Sequence, residues 1–393
     1  MIDPEVKPKP YLGLMLLVGL MGIISALFTF VFMIIVNRGI SLVWEQGAAA
    51  IGLDPRLFTL LICTLGGLLV GLLVKLFGDH NAIFSEIMQE FGKTGRFDYR
   101  NAPGIVITAI VSLISGGSLG PEAPLADGCG GIGTWLADRL KLKQHENQAM
   151  GYSGFSGMLA AFITSPFSGA LLTLESAQGG ASAGGAYLWG FVPSLLASAT
   201  ATVVFVGLTG RFFETLYAFP DYIPHLIDLL WAVPFGFAGA LVGVFFMLGL
   251  RWLRQLMQPL KTRLVWRGLL GGLVMGIIGA LLPLTLFSGE AETLDLIAQA
   301  TQLGFLMLVV LGVAKLFATA LLLATGWKGG YIFPVMFAGI ALGMAGKVQP
   351  MSGRTSNGSR PRTGRCSFTH SSTRCPNSPT RARITRPSFA WAG

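Results

Sequence analysis

Two glycine-rich breaks interrupt sequence that is otherwise apolar enough to cross a membrane, and they occupy corresponding places in the two halves of the chain. The first is Gly116-Gly117-Ser118-Leu119-Gly120-Pro121-Glu122, after the apolar stretch 105–114. The second is Gly326-Trp327-Lys328-Gly329-Gly330-Tyr331-Ile332-Phe333-Pro334, after 305–324. Inside a bilayer each unpaired backbone group costs several kcal/mol, so non-helical peptide persists only where protein buries it or where it lines a cavity. Interrupted segments repeated in two halves point to a transport site, here for a small ion. At either break taken alone, a kink between tightly packed helices is the competing reading.

The composition is that of a polytopic all-α membrane protein. Apolar residues make up 52% and charged residues only 12%, against about 25% charged in soluble domains. A spanning helix needs about 20 mostly apolar residues. The candidates are 11–36, 57–77, 105–114, 150–174, 187–208, 229–250, 264–287, 305–324 and 331–345. Several are too short or too glycine-rich to cross alone, which predicts re-entrant or half-spanning helices. The 53 glycines suit close helix packing, notably at 268–272 and 236–243.

The net charge of +9 belongs to the tail: Lys347 and eight arginines follow position 346 with no acidic residue, which leaves 19 basic against 19 acidic residues upstream. Nucleic-acid binding by the body of the protein finds no support. Cys63, Cys129, Cys366 and Cys375 form no zinc spacing, and the two in apolar segments read as small hydrophobes. His80, His145, His225 and His370 are scattered without metal-ligand spacing. No nucleophile–base pair or phosphate-binding loop appears, so neither catalytic residues nor a metal or cofactor is expected. Residues 1–10 are short and polar with Lys7 and Lys9. The apolar run that follows is too long for a signal peptide, which gives a cytoplasmic N-terminal segment and a first spanning helix.

Past that helix the order of features repeats. Gly78-Asp79-His80-Asn81-Ala82 leads to Ser85-Glu86-Ile87, an apolar helix and the first break; Ser288-Gly289-Glu290-Ala291-Glu292 leads to Leu294-Asp295-Leu296-Ile297, an apolar helix and the second. Gly78 to Gly117 is 39 positions and Gly289 to Gly326 is 37. This predicts an inverted repeat over 11–346, with a first half of about 11–210 and an incomplete second half of about 225–346. From 347 to 393 the chain is rich in Ser, Arg, Thr and Pro without an apolar period and reads as disordered. The change comes in mid-helix with no cap, which suggests a shifted reading frame in place of final helices. A basic tail that meets anionic lipid is the alternative.

At the first break, Gly116 and Gly117 release one helix, and Pro121 suits the first turn of the next. Ser118, Leu119 and Gly120 then present amides at an electropositive helix end, where an anion can bind. At the second break, Gly329 and Gly330 allow close backbone approach, and the amides of Tyr331, Ile332 and Phe333 point outward. Residues 78–82 offer a third such start. Converging helix ends hold an anion without a buried cation, which is costly in a membrane.

These residues carry a resemblance. Gly117-Ser118-Leu119-Gly120-Pro121 resembles the Gly-x-Glu-Gly-Pro motif of the CLC chloride channels and chloride/proton antiporters, and Gly330-Tyr331-Ile332-Phe333-Pro334 resembles their Gly-x-Phe-x-Pro motif. Between them, Ala160-Ala161-Phe162-Ile163-Thr164-Ser165-Pro166-Phe167-Ser168-Gly169-Ala170, followed by Glu175, is similar to the family's Ala-Phe-Asn-Ala-Pro-Leu-Ala-Gly…Glu segment. The match spans roughly 11–346. It implies an all-helical inverted repeat in a lipid bilayer, the plasma (inner) membrane of a prokaryote, normally as a homodimer with one anion pore per subunit. Chloride or a similar small anion would meet Gly117, Ser118, Leu119, Gly120, Gly330, Tyr331, Ile332, Phe333 and, in the first polar break, Asn81.

The departures from the family are informative. Leu119 stands where the family places its gating glutamate, and leucine neither competes with chloride nor passes protons. The resemblance therefore implies anion transport without the usual proton-coupling carboxylate. Glu122 is either a displaced gate or a carboxylate that stabilises the first turn of its own helix, worth about 0.3–1 kcal/mol. The family's Gly-Ser-Gly-Ile-Pro is degenerate, and its serine position falls on Asn81, Ala82 or Ser85. The family's pore-lining tyrosine lies in a last helix that this chain lacks or carries in scrambled form. Lys315 is a functional candidate as an intramembrane cation, or it pairs with Glu175 or snorkels. Glu214 falls near the family's internal proton-accepting glutamate or in a loop, and His80 could tune anion affinity. The alternatives are a secondary transporter for another small anion or a coupled cation, and a non-conducting truncated membrane protein.

Overall fold

Apolar chain in lipid must close its backbone hydrogen bonds within itself, and the described residues do so almost entirely as helices. The computed structural model describes residues 8–80, 83–176, 186–210 and 225–348. Helix α1 (Pro8–Ile40) runs on through a π turn to Ile51; α2 (Pro55–Phe77), α3 (Phe84–Thr94), α4 (Ala102–Ile114) and α5 (Glu122–Arg139) follow. Then come α6 (Gln144–Ile163), α7 (Pro166–Ser176), α8 (Val192–Thr209), α9 (Leu226–Leu256), α10 (Leu264–Leu281), α11 (Glu290–Ala324) and α12 (Ile332–Val348). Among the described residues six stretches are long and apolar enough to cross a membrane, and α4 and residues 332–346 are shorter apolar helices. These two short helices flank the breaks, as half-spanning elements should.

The two halves use the same local devices. Helix α4 ends with Gly116 at φ 84°, with Gly116 N–H bonded to Leu113 O at 3.2 Å and Gly117 N–H to Ser112 O at 3.0 Å. Helix α11 ends with Gly326 at φ 90° and Trp327 N–H bonded to Leu322 O at 3.1 Å. Both are the left-handed glycine stop that satisfies a helix's last carbonyls. The equivalent residues are therefore Gly116 and Gly326, one position from the Gly117–Gly326 pairing suggested by spacing. Gly304, at φ 73° and ψ 169°, divides α11 into two helices, where the first half has α3, a short connection and α4. The repeat unit is thus α2 to α5 against α10 to α12.

Two expected spans are corrected. Segment 150–174 breaks at Thr164 (φ 52°) into α6 and α7, because Pro166 removes a helix-interior donor and restricts the residue before it. Segment 264–287 stops at Leu281 and becomes a short 3₁₀ turn, Pro283–Thr285. Glu214 and residues 347–393, apart from the backbone of Lys347 and Val348, lie outside the described residues, as do Asn81 and Ala82.

The repeat-related helices α2 and α10 pack backbone to backbone. A Cβ on Gly67 would lie 2.5 Å from Gly268 O, and one on Gly272 would lie 2.2 Å from Cys63 O. The expectation of close packing at 268–272 therefore holds, whereas Gly236, Gly239 and Gly243 have nothing within 4 Å. Those three lie on the exposed apolar length of α9, which is buried only at Phe246, Leu250 and Leu253. In the first half, α1, α6 and α8 interlock through small residues: Ser25 Oγ donates to Gly154 O at 3.0 Å, and Thr200 Oγ1 to Gly19 O at 3.2 Å. Cys63 and Cys129 are buried and unbridged. Gly272→Ala should destabilise the protein by about 1–3 kcal/mol through overpacking. Gly239→Ala should be neutral or slightly stabilising, alanine being about 1 kcal/mol better in a helix. Thermal unfolding in detergent ranks them, and equal melting temperatures would contradict the α2–α10 contact.

Candidate functional site

The fold brings the two breaks into direct contact. Gly120 N–H donates to Gly330 O at 2.9 Å and Gly330 N–H to Gly120 O at 2.6 Å, an isolated antiparallel bridge. Chain segments from the two halves thus run in opposite directions through one point, as an inverted repeat requires. Gly120 and Gly330 spend their amides on this bridge, and Leu119 N–H goes to Gly117 O at 2.8 Å. Both hydroxyls behind the bridge are also paired: Thr319 Oγ1 donates to Ser118 O at 2.9 Å and lies 3.2 Å from Ser118 Oγ. Leu119 is fully buried against Gly329, where an added Cβ would meet the leucine Cβ at 2.6 Å.

The amides left at the start of α12 are taken by a side chain. Glu122, the first residue of α5, is 1% exposed, and its Oε1 accepts from Ile332 N–H at 2.6 Å. The N–H groups of Phe333 and of Glu122 itself also face the carboxylate. Oε2 has no hydrogen-bond partner. The carboxylate sits in a cradle that only glycine permits: a Cβ on Gly120 would lie 1.9 Å from Oε2, and one on Gly330 would lie 2.2 Å from Oε1. A helix N-terminus with free N–H groups favours an anion, and here a covalently tethered one occupies it. Glu122 also stands in the first turn of its own helix, so one carboxylate serves two electropositive ends.

The third motif reaches the same place. Phe162, at the end of α6, meets Phe333 edge-on with ring centroids 5.0 Å apart. Tyr331 is half-buried, with its ring 5.5 Å from that of Phe246. Ile332 contributes its amide, and the residue is 36% exposed.

The buried cations near the breaks are all engaged. Lys315 is fully buried and donates to the carbonyls of Thr285 (3.1 Å), Leu286 (2.8 Å) and Phe287 (2.9 Å). An ammonium has three donors, so all are spent on the loop before α11; the lysine neither pairs with the exposed Glu175 nor snorkels. Arg267, on α10, donates to Asp79 Oδ2 at 2.6 Å and to Thr325 O at 3.3 Å. Lys328, in the second break, reaches Asp79 Oδ1 at 3.5 Å and also donates to His80 O. Asp79 thus ties the first polar break to the second glycine break. Burial works against its charge, but Lys328 and Arg267 outweigh that, and its carboxyl titrates below the ordinary aspartate range. Sequence reading passed over Asp79 and Arg267, although an arginine inside an apolar stretch signals a partner. His80 Nε2 lies 3.0 Å from Phe77 O. Among the described residues no cluster of His, Cys, Asp or Glu could hold a metal.

Known proteins share this frame. The chain is 28% identical over 336 residues to the ion-transport protein YfeO as named in Escherichia fergusonii and Escherichia coli, covering 82% of this chain and 76% of the relative. Its fold matches a slow cyanobacterial Cl−/H+ antiporter at a TM-score of 0.71 and 21% identity, over 87% of this chain and 79% of that one. A CLC-type fluoride/proton antiporter superposes at a TM-score of 0.64 and 20% identity, over 86% and 82%. The family model for the voltage gated chloride channel matches residues 66–350, and the chain belongs to that family.

Proposed function

We propose that this protein is an anion conduit, with chloride the default ion, in which the permeating anion and the Glu122 carboxylate compete for the amides at the start of α12. The contact of Glu122 Oε1 with Ile332 N–H at 2.6 Å carries the reading. A carboxylate and a halide have the same charge and accept the same donors, so the tethered group stands in for the mobile one. Departure of the side chain leaves the amides of Ile332 and Phe333 to replace part of an ion's hydration shell, with Gly120 and Gly330 providing the space. Lys315, Lys328 and Arg267, spent on carbonyls and on Asp79, do not trap the ion.

Leu119 fills the position of the family's gating glutamate, and flux is not coupled to protons through that residue. The gate is Glu122. Family membership supports a homodimer with one pathway per subunit, and the bacterial relatives support a prokaryotic plasma membrane. Asn81 lies outside the described residues, so the proposal rests on the α12 amides.

In liposomes, Glu122→Ala should raise anion flux at neutral pH by at least about tenfold, because hydrogen bonds to a charged group are worth about 1.5–3 kcal/mol and 1.4 kcal/mol is a factor of ten. Loss of flux in a folded variant would contradict the competition. Gly330→Ala should lower flux, and should do so in the Glu122→Ala background as well, because its Cβ would lie 2.2 Å from the Oε1 position, in the space that the carboxylate or the ion needs. In the Glu122→Ala variant, chloride gradients should drive no uphill proton movement; such movement would show a second coupling group.

A further inference from the structure

A second site lies apart from the Gly120–Gly330 bridge, between the first polar break, α3, α4, α5 and the 95–101 connection. Asp79, His80, Glu90, Arg96, Asp98 and Asp127 line a cavity of about 230 Å³, whose walls include Phe91, Phe97 and Ile105. Its mouth carries exposed Glu90 and Asp98, and Asp127 is 6% exposed. Two of the other charges are already matched: Arg96 is paired with Asp138, and Asp79 with Arg267 and Lys328. Asp98 is held in place by Asn101 Nδ2 at 2.6 Å and Arg100 N–H at 3.1 Å, neither of which cancels its charge.

Asp127 is the anomaly. Its Oδ2 is buried with no hydrogen-bond partner, and the charged groups acting on it are the acidic Asp98 and Glu90. An unpaired buried carboxylate costs several kcal/mol, and among the described residues no donor reaches Oδ2 to offset it. The compensating charge therefore comes from solution. We propose that this cavity binds a small monovalent metal cation, sodium or potassium, at Asp127, with Glu90 and Asp98 attracting it at the mouth. The carboxylates do not close into a coordination shell, as a divalent ion such as calcium would need. The volume is several times the about 30 Å³ share of one water, so the ion keeps part of its hydration. Helix α5 carries both Asp127 and Glu122, which places the cation on the same rigid element as the gate.

The test is thermal unfolding of the full chain in detergent, with sodium chloride exchanged for N-methyl-D-glucamine chloride at equal chloride, pH and ionic strength. It reads binding alone and does not depend on transport. Sodium should raise the melting temperature of the wild type by about 2 °C or more. Asp127→Asn should abolish that rise while melting, in N-methyl-D-glucamine, at or above the wild type. Asp98→Asn should weaken the response and serves if the first variant fails to fold. No effect of either sodium or potassium, exchanged in the same way, in the wild type, or the same effect in Asp127→Asn, would overturn the proposal. So would stabilisation by acid with none by either cation, which would make the occupant a proton.

Discussion

One carboxylate joins the two halves of this molecule. Glu122 begins α5 in the first half and accepts from the amide that begins α12 in the second, beside the paired glycines Gly120 and Gly330. The carboxylate can lie against that bridge only because neither glycine carries a Cβ. The contact satisfies N–H groups that lipid could not, and it fills the position where a helix end would otherwise attract an ion. Structure and proposed function rest on the same donors: a gate that leaves them must be replaced by something that accepts hydrogen bonds.

The surrounding polar groups follow the same economy. The three donors of Lys315 close the carbonyls of the loop before α11, and Asp79 gathers Arg267 and Lys328 from the second half. Each is an intramembrane charge or its partner, and each ends an interruption of regular helix that would otherwise leave backbone groups or charges unsatisfied. Asp127 stands out because it lacks such a partner.

The helical fold and the position of both breaks were legible in the sequence because apolar runs and glycine clusters act locally. Gly116 and Gly326 stop helices by backbone conformation alone, and that signal survives without tertiary context. The meeting of Glu122 with Ile332 was not legible, because it depends on a pairing across some two hundred residues that no local pattern encodes. The expected amides of Ser118, Leu119 and Gly120 looked available for the same reason: sequence shows which N–H groups a break releases, and only the fold shows that Leu119 and Gly120 already have partners. Gly236, Gly239 and Gly243 looked like a packing face, yet α9 turns them to open space.

Anomalous scattering from crystals grown in bromide tests the central claim most directly, with wild type and Glu122→Ala compared under one condition. The account predicts a bromide peak within hydrogen-bond distance of the Ile332 and Phe333 amides in the variant, and weak or no density there in the wild type while the carboxylate holds the site. A variant whose α12 amides stay empty while bromide binds elsewhere along the chain would contradict it.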